Sequence, residues 1–170
     1  MLLVAAMVVP FQVIMIPLVN IYGSRLGFTN NIWMVTYIHI ALNIPFPTFL
    51  YCGFMGGIPV ELDEAALIDG ASQEKTFFQI ILPLLKPITI TAVVFTALSI
   101  WNDYILASTF LSLKEVKTLP LMTYAFLASH SADYAPMMAG LVLTMLPVLI
   151  LYAVGQRYII EGIVAGSVKG

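Results

Sequence analysis

Charge is what this chain has least of. Only 9% of its 170 residues are Asp, Glu, Lys or Arg, while 61% are hydrophobic, against roughly 25% charged in an ordinary soluble domain. So little charge cannot cover a water-soluble globule. Residues 1–24, 87–102 and 134–156 carry none, and residues 26–60 have only His39 as a titratable group apart from Tyr and Cys. A hydrocarbon core about 30 Å thick needs about 20 apolar residues per helix, so each gap is a candidate span, residues 87–102 by continuing past Asp103. The single cysteine, Cys52, excludes an internal disulfide, and there is no Cys/His grouping at metal-ligand spacing. A basic stripe for nucleic acid is missing, as is the Gly-x-x-x-x-Gly-Lys-Ser/Thr loop of an ATPase. Nothing assembles a nucleophile, a base and an oxyanion donor.

What is there is a polytopic transmembrane helical bundle, all-α in class, with four expected spans: about Leu2–Ile21, Ile32–Tyr51, Ile88–Leu111 and Met137–Tyr158. The first lacks the charged start and small-residue cleavage site of a signal peptide and is read as a helix that stays. Pro10 and Pro17 in the first span, and Pro45 and Pro47 in the second, are tolerated where neighbouring helices or a lined cavity satisfy the freed carbonyls. They suit either a pathway-lining bundle or static kinks. Four spans place both termini on one side. The basic residues do not say which: Lys75, Lys86, Arg157 and Lys169 face Arg25, Lys114 and Lys117.

Between the second and third spans lies the one charge-dense stretch, "ELDEAALIDGASQEKTFFQIILPLLKP", with five of the nine carboxylates. Pro59 suits a helix start, Glu61, Asp63 and Glu64 suit the positive end of the macrodipole, and Gly70 suits a stop, which predicts a helix over Pro59–Asp69. Glu61, Glu64, Ala65 and Ile68 share a stripe that suits a protein groove better than lipid. Asp69 is expected to accept hydrogen bonds from the backbone just beyond Gly70. Ser72 is placed to cap a second helix reaching about Leu82. Its Phe77, Phe78, Ile80, Ile81 and Leu82 form one arc and Ser72, Lys75, Thr76 and Gln79 the other, so it can lie at the membrane surface.

These residues carry a family resemblance. Glu64, Ala65, Ala66, Gly70, Ile80, Leu82 and Pro83 match the EAA loop of permease subunits from bacterial binding-protein-dependent ABC importers. The lead-in "IPVELDEAA", the "WND" of Trp101, Asn102 and Asp103, "TLP" at Thr118–Pro120 and the closing "GSVKG" resemble the sugar branch, in particular its maltose-type second permease. The resemblance implies a type I ABC importer permease fold, partial over residues 1–170, with a cytoplasmic coupling loop at 59–87. It implies that Glu64 pairs with a basic group of a cytoplasmic ABC ATPase dimer, that Gly70 allows the sharp turn, and that both termini are cytoplasmic. The implied partners are that ATPase, a second permease subunit, an extracytoplasmic solute-binding protein, the sugar and membrane lipid. The implied work is carbohydrate import by alternating access, with ATP hydrolysis in a separate subunit and no cofactor or metal. Family members usually have six spans, and this chain reads as though the N-terminal two were missing.

Other readings stay open on the residues alone. The same machinery could serve a glycerophosphodiester or a polyamine, the chain could be a truncated structural remnant, and an intramembrane enzyme would have to use His39 and Asp103 from different spans. His39 and Asn43, one turn apart, fit a sugar route or a buried polar pair. Asp103 fits a pathway or gate role or a structural hydrogen-bonding role at an interface marked by Trp101 and Tyr104.

Overall fold

A computed structural model describes the backbone of residues 2–127 and 134–167 and the side chains of 3–124 and 134–156. Among these residues every regular element is helical. The first apolar run is not one continuous helix. It comprises α1, Leu2–Ala5, a 3-10 turn at Ala6–Val8, a break, and α2, Phe11–Leu18, which runs into a π-helical stretch, Val19–Arg25. The cause is Pro10, whose ring drives the preceding residue out of the α region: Val9 is extended, at φ −78° and ψ 115°. Pro17, by contrast, sits inside α2.

The second run is helical throughout as α3, Ile32–Asn43, and α4, Pro45–Met55, which join through a helical Ile44 into a 24-residue apolar span. Asn31 starts it by accepting from the N–H groups of Trp33 and Met34 at 3.0 and 3.2 Å, the usual satisfaction of orphan donors at a helix start. Pro45 is placed where a missing N–H costs little, at the first turn of α4.

Next come α5, Glu61–Ile68, α6, Gln73–Thr76, a π turn at Phe77–Ile81, and α7, Leu82–Leu84. The stretch Gln73–Leu84 meets α8, Lys86–Trp101, at a 66° bend. The expected third span, Ile88–Leu111, therefore divides: α8 ends at Trp101, and after a corner at Asn102 and Asp103 the chain forms α9, Ile105–Phe110. The stretch read as a polar connection contains a helix, α10, Leu119–Leu127, and the last run is α11, Tyr134–Ser167. Most of "ASHSADYAP" and the last residues of "GSVKG" lie outside the described residues. Among the described residues, two helical stretches can cross a membrane by length and composition, Ile32–Met55 and Tyr134–Gln156, and three if the bent pair counts as one. The expected count of four is reduced because Pro10 divides the first run and because α8 ends after 16 residues at the Asn102–Asp103 corner.

Two apolar clusters hold these pieces. One joins Val35 and Ile38 of α3 to Leu106, Ala107 and Phe110 of α9, Leu111, and Leu121 of α10. The other joins Ile81, Leu85 and Ile88 around the bend, packed by Leu50, Tyr51 and Phe54 of α4. Tyr51 adds a 2.8 Å hydrogen bond to Thr89. On the opposite flank α8 and α10 pack against α11. There Gly140 faces the Thr123 hydroxyl, the Thr123 and Thr144 hydroxyls lie 3.4 Å apart, and the Trp101 indole donates to the Thr144 carbonyl at 3.0 Å. Small and hydroxyl-bearing residues at such contacts supply close packing and hydrogen bonds where lipid removes the hydrophobic drive.

Candidate functional site

The loop between the spans is built as a helix, a tight turn and a second helix. In α5 the carboxylates of Glu61, Asp63 and Glu64 stand in the first turn, where the macrodipole favours them. The helix ends in a Schellman turn: the Ala71 N–H donates to the Ala66 carbonyl at 2.9 Å and the Gly70 N–H to the Leu67 carbonyl at 3.0 Å. Gly70 takes φ +75° there, the left-handed geometry that glycine adopts without steric cost. A Cβ on Gly70 would meet nothing within 4 Å, so backbone conformation, not crowding, selects glycine. Asp69 was expected to tie down the backbone beyond the turn. It is exposed, and among the described residues its side chain makes no hydrogen bond, because the Schellman bonds already satisfy that backbone.

Ser72 caps the second helix as expected, accepting from the Lys75 N–H at 3.3 Å. The expected division of that helix needs one correction. Thr76, placed on the polar arc with Lys75 and Gln79, is buried and donates to the Ser72 carbonyl at 3.1 Å. The π turn at Phe77–Ile81 begins just after Thr76 and rotates the side chains beyond it relative to a 3.6-residue wheel, which shifts the apolar arc toward the Thr76 side. Ile81 is then buried on the Thr76 side while Phe78 and Leu82 are exposed.

On α5, Ala66 faces inward and is 3% exposed, while Glu61, Glu64, Ala65 and Ile68 all face solvent, Ile68 at 86%. The stripe read from the sequence is thus an unpartnered face mixing acid, methyl and branched aliphatic groups. Behind it, a cleft of about 490 Å³ lies between α5 and the second helix, lined by Met55, Ile58, Val60, Asp63, Leu67 and Phe77 among others. Leu82 and Pro83, at the end of the motif, are exposed at the entry to the 66° bend.

The expected pathway residues separate into two groups. His39, Asn43 and Asp103 converge on one cavity of about 260 Å³, whose other walls include Val9, Phe11, Ser99 and Leu106. The His39 Nε2 lies 3.6 Å from an Asp103 oxygen, with the two side chains 14% and 19% exposed. Asp103 also accepts from the Leu106 and Ala107 N–H groups at 3.2 and 2.9 Å, capping α9. It therefore has the structural hydrogen-bonding role and also lines the cavity. Asn43 donates to the His39 carbonyl at 2.9 Å. Trp101 and Asn102 do not join them: the indole of Trp101 is turned to α11, and Asn102 is exposed at the corner.

One positioning residue was missed. Asn30 stands at φ 60°, and its side-chain oxygen accepts from the Ser112 N–H, the Ser112 hydroxyl and the Leu113 N–H at 2.7, 3.0 and 2.8 Å, fastening the loop before α3 to the chain after α9. The signal available was the Asn pair after "GFT", since Asn tolerates left-handed backbone in turns.

Comparison with known proteins agrees with this architecture. The family model for the binding-protein-dependent transport system inner membrane component matches residues 1–164. The probable starch degradation products transport system permease protein AmyC of Thermoanaerobacterium thermosulfurigenes is 42% identical over 169 residues, which is 99% of this chain and 61% of that protein. The multiple sugar-binding transport system permease protein MsmG of Streptococcus mutans and the melibiose/raffinose/stachyose import permease protein MelC of Bacillus subtilis are each 38% identical over 170 residues, again 99% of this chain and 61% of theirs. The chain thus spans about three fifths of the length of these relatives. With a family match over nearly all of its residues, it belongs to the binding-protein-dependent transport system inner membrane components.

Proposed function

We propose that this chain is the membrane-spanning permease part of an ATP-driven sugar importer and that residues 59–87 are its coupling loop. The observation that carries this reading is the exposed Glu61, Glu64, Ala65 and Ile68 face on a short helix between spans, ended by a left-handed Gly70. An aliphatic side chain as exposed as Ile68, in the aqueous connection between two membrane segments, is stabilised by a protein partner that buries it. The carboxylates beside it select a basic rim on that partner. A cytoplasmic ABC ATPase dimer meets both demands, and its closure on ATP would push α5. Through the helix after Gly70 and the 66° bend that push reaches α8, so the spans alternate access to the two sides of the membrane. The remaining partners are a second permease subunit and an extracytoplasmic solute-binding protein. The relatives named for starch products, multiple sugars and raffinose-type oligosaccharides support sugar as the cargo.

The test is charge reversal in the complete importer. Glu64→Lys should release the ATPase from detergent-solubilised membranes and cut uptake of labelled sugar by about tenfold or more, in line with removing a charged hot-spot contact and adding repulsion. Wild-type uptake and normal retention of the ATPase in that variant would overturn the reading.

A further inference from the structure

We propose that Trp101 is a positioning residue for transport: its indole fastens the end of α8 to α11 one turn ahead of Pro147, so that a displacement of α8 bends α11 at the proline instead of letting the two helices slide. The inference rests on the coupling-loop reading above, which supplies the displacement. Its ground is the choice of acceptor. Among the described residues, every other side chain that donates to a backbone carbonyl reaches back three or four residues along its own segment. Trp101 alone crosses to another element, giving its indole N–H to the Thr144 carbonyl at 3.0 Å. An indole has one donor and no acceptor, so this bond uses all of its hydrogen-bonding capacity.

The turn it grips is one where a helix bends readily. Pro147 sits inside α11. Having no N–H, it leaves the Leu143 carbonyl without a helical donor, and its ring crowds that carbonyl, which is a recognised cause of sharp kinks. In the same turn the Thr144 hydroxyl donates back to the Gly140 carbonyl at 2.7 Å, a bond that itself bends helices. The regular partner of the Thr144 carbonyl is the Val148 N–H, and opening the turn at Pro147 stretches that bond. A carbonyl left unpaired in lipid is costly, and this turn lies within Tyr134–Gln156, a stretch long and apolar enough to cross a membrane. The indole keeps the carbonyl paired while the turn opens, so Trp101 both transmits the displacement and lowers the cost of bending.

The helix α10 grips the same turn. Thr123 lies against Gly140, and its hydroxyl is 3.4 Å from that of Thr144. The end of α8, α10 and the turn at 140–144 are thus joined ahead of Pro147, while residues 148–156 of α11 lie outside these bonds. At its other end α8 begins at the 66° bend after Gln73–Leu84, so a push on the proposed coupling loop travels the length of α8 before it reaches Trp101.

The experiment uses the complete importer in proteoliposomes, in a Cys52→Ser background. Spin labels on Val93→Cys in α8 and Val154→Cys beyond the proline, both exposed positions, report their separation by pulsed electron resonance before and after trapping with ATP and vanadate. Val154 lies about 10 Å past Pro147 along the helix, so a bend of about 20° moves it by about 4 Å, and a shift of that size is expected in the parent. Trp101→Phe keeps an aromatic ring and removes the N–H. It should lose most of the shift and cut uptake of labelled maltotriose by about two- to tenfold, the effect of one hydrogen bond, with complex yield and ATPase retention as in the parent. Pro147→Ala should also lose the shift, and adding Trp101→Phe to it should reduce uptake no further, since both act on one turn. A full shift in Trp101→Phe, or additive losses in the double variant, would mean that Trp101 only packs and would overturn the proposal. An absent shift in the parent, with nucleotide trapped and the ATPase bound, would overturn it too and leave the coupling loop standing. A full shift in Glu64→Lys would overturn the coupling-loop reading, with Trp101→Phe still deciding the hinge. Parent vesicles that take up no maltotriose would overturn that sugar as cargo, and the spin-label distances decide the hinge without it.

Discussion

At the scale of single residues, Gly70 and Asn30 use the same left-handed backbone for different ends. Gly70 needs it to turn α5 into the next helix, and since no atom crowds its missing Cβ, the side chain matters only through φ. Gly70→Val should cost about 1–2 kcal/mol of loop stability, and Gly70→Asn markedly less. Sugar uptake by the complete importer should fall in that order, and equal uptake by the two variants would show that the turn is not the constraint. Asn30 needs the left-handed geometry to aim one oxygen at three donors. Asn30→Ala strands those donors, at about 0.5–1.5 kcal/mol per net bond. A thermal melt in detergent should drop by several degrees for Asn30→Ala, whereas Asn30→Asp, which keeps the acceptor, should melt near the wild type.

At the scale of elements, the sequence was most readable where the deciding forces are local. The acidic first turn of α5, the Gly70 stop and the Ser72 cap depend on neighbours within five residues, and all three stand as expected. Composition also found the apolar runs, but it could not find how they break. Pro10 and Pro17 are equivalent by spacing, yet Val9 goes extended before Pro10 while helix continues through Pro17. The helix α10 was hidden because "LPLMTYAFL" is short and flanked by polar residues, and it is held by Leu121 in the first apolar cluster. His39 and Asp103 were each visible, but their approach depends on the corner after α8 and had no local signal. The Pro10 break has a consequence for the cavity, because Ala6, Met7 and Val9 form one of its walls. Pro10→Ala removes the steric bar on Val9 and restores an N–H, so the helix should extend through the break and narrow the cavity. Ser99→Cys should then react with maleimide more slowly than it does beside Pro10, and an unchanged rate would mean that packing, not proline, holds the break open.

At the scale of the whole molecule, sidedness turns on distance. The α8 helix, Lys86–Trp101, rises about 24 Å at 1.5 Å per residue, most of a hydrocarbon core. It separates the Gln73 end of the proposed coupling loop from the turn around Lys114, and both residues are exposed. If the loop meets a cytoplasmic ATPase, Gln73 is cytoplasmic and Lys114 external, an assignment that the four-to-three basic count could not make. Lys114 is a better reporter than Ser112, whose N–H and hydroxyl both bond to Asn30. In a Cys52→Ser background with the outer envelope permeabilised, Lys114→Cys should react with a membrane-impermeant maleimide in sealed cells, and Gln73→Cys only after the inner membrane is opened. The reverse pattern would put the Glu64 face on the external side, beyond reach of any ATPase, and the coupling mechanism would fall with it.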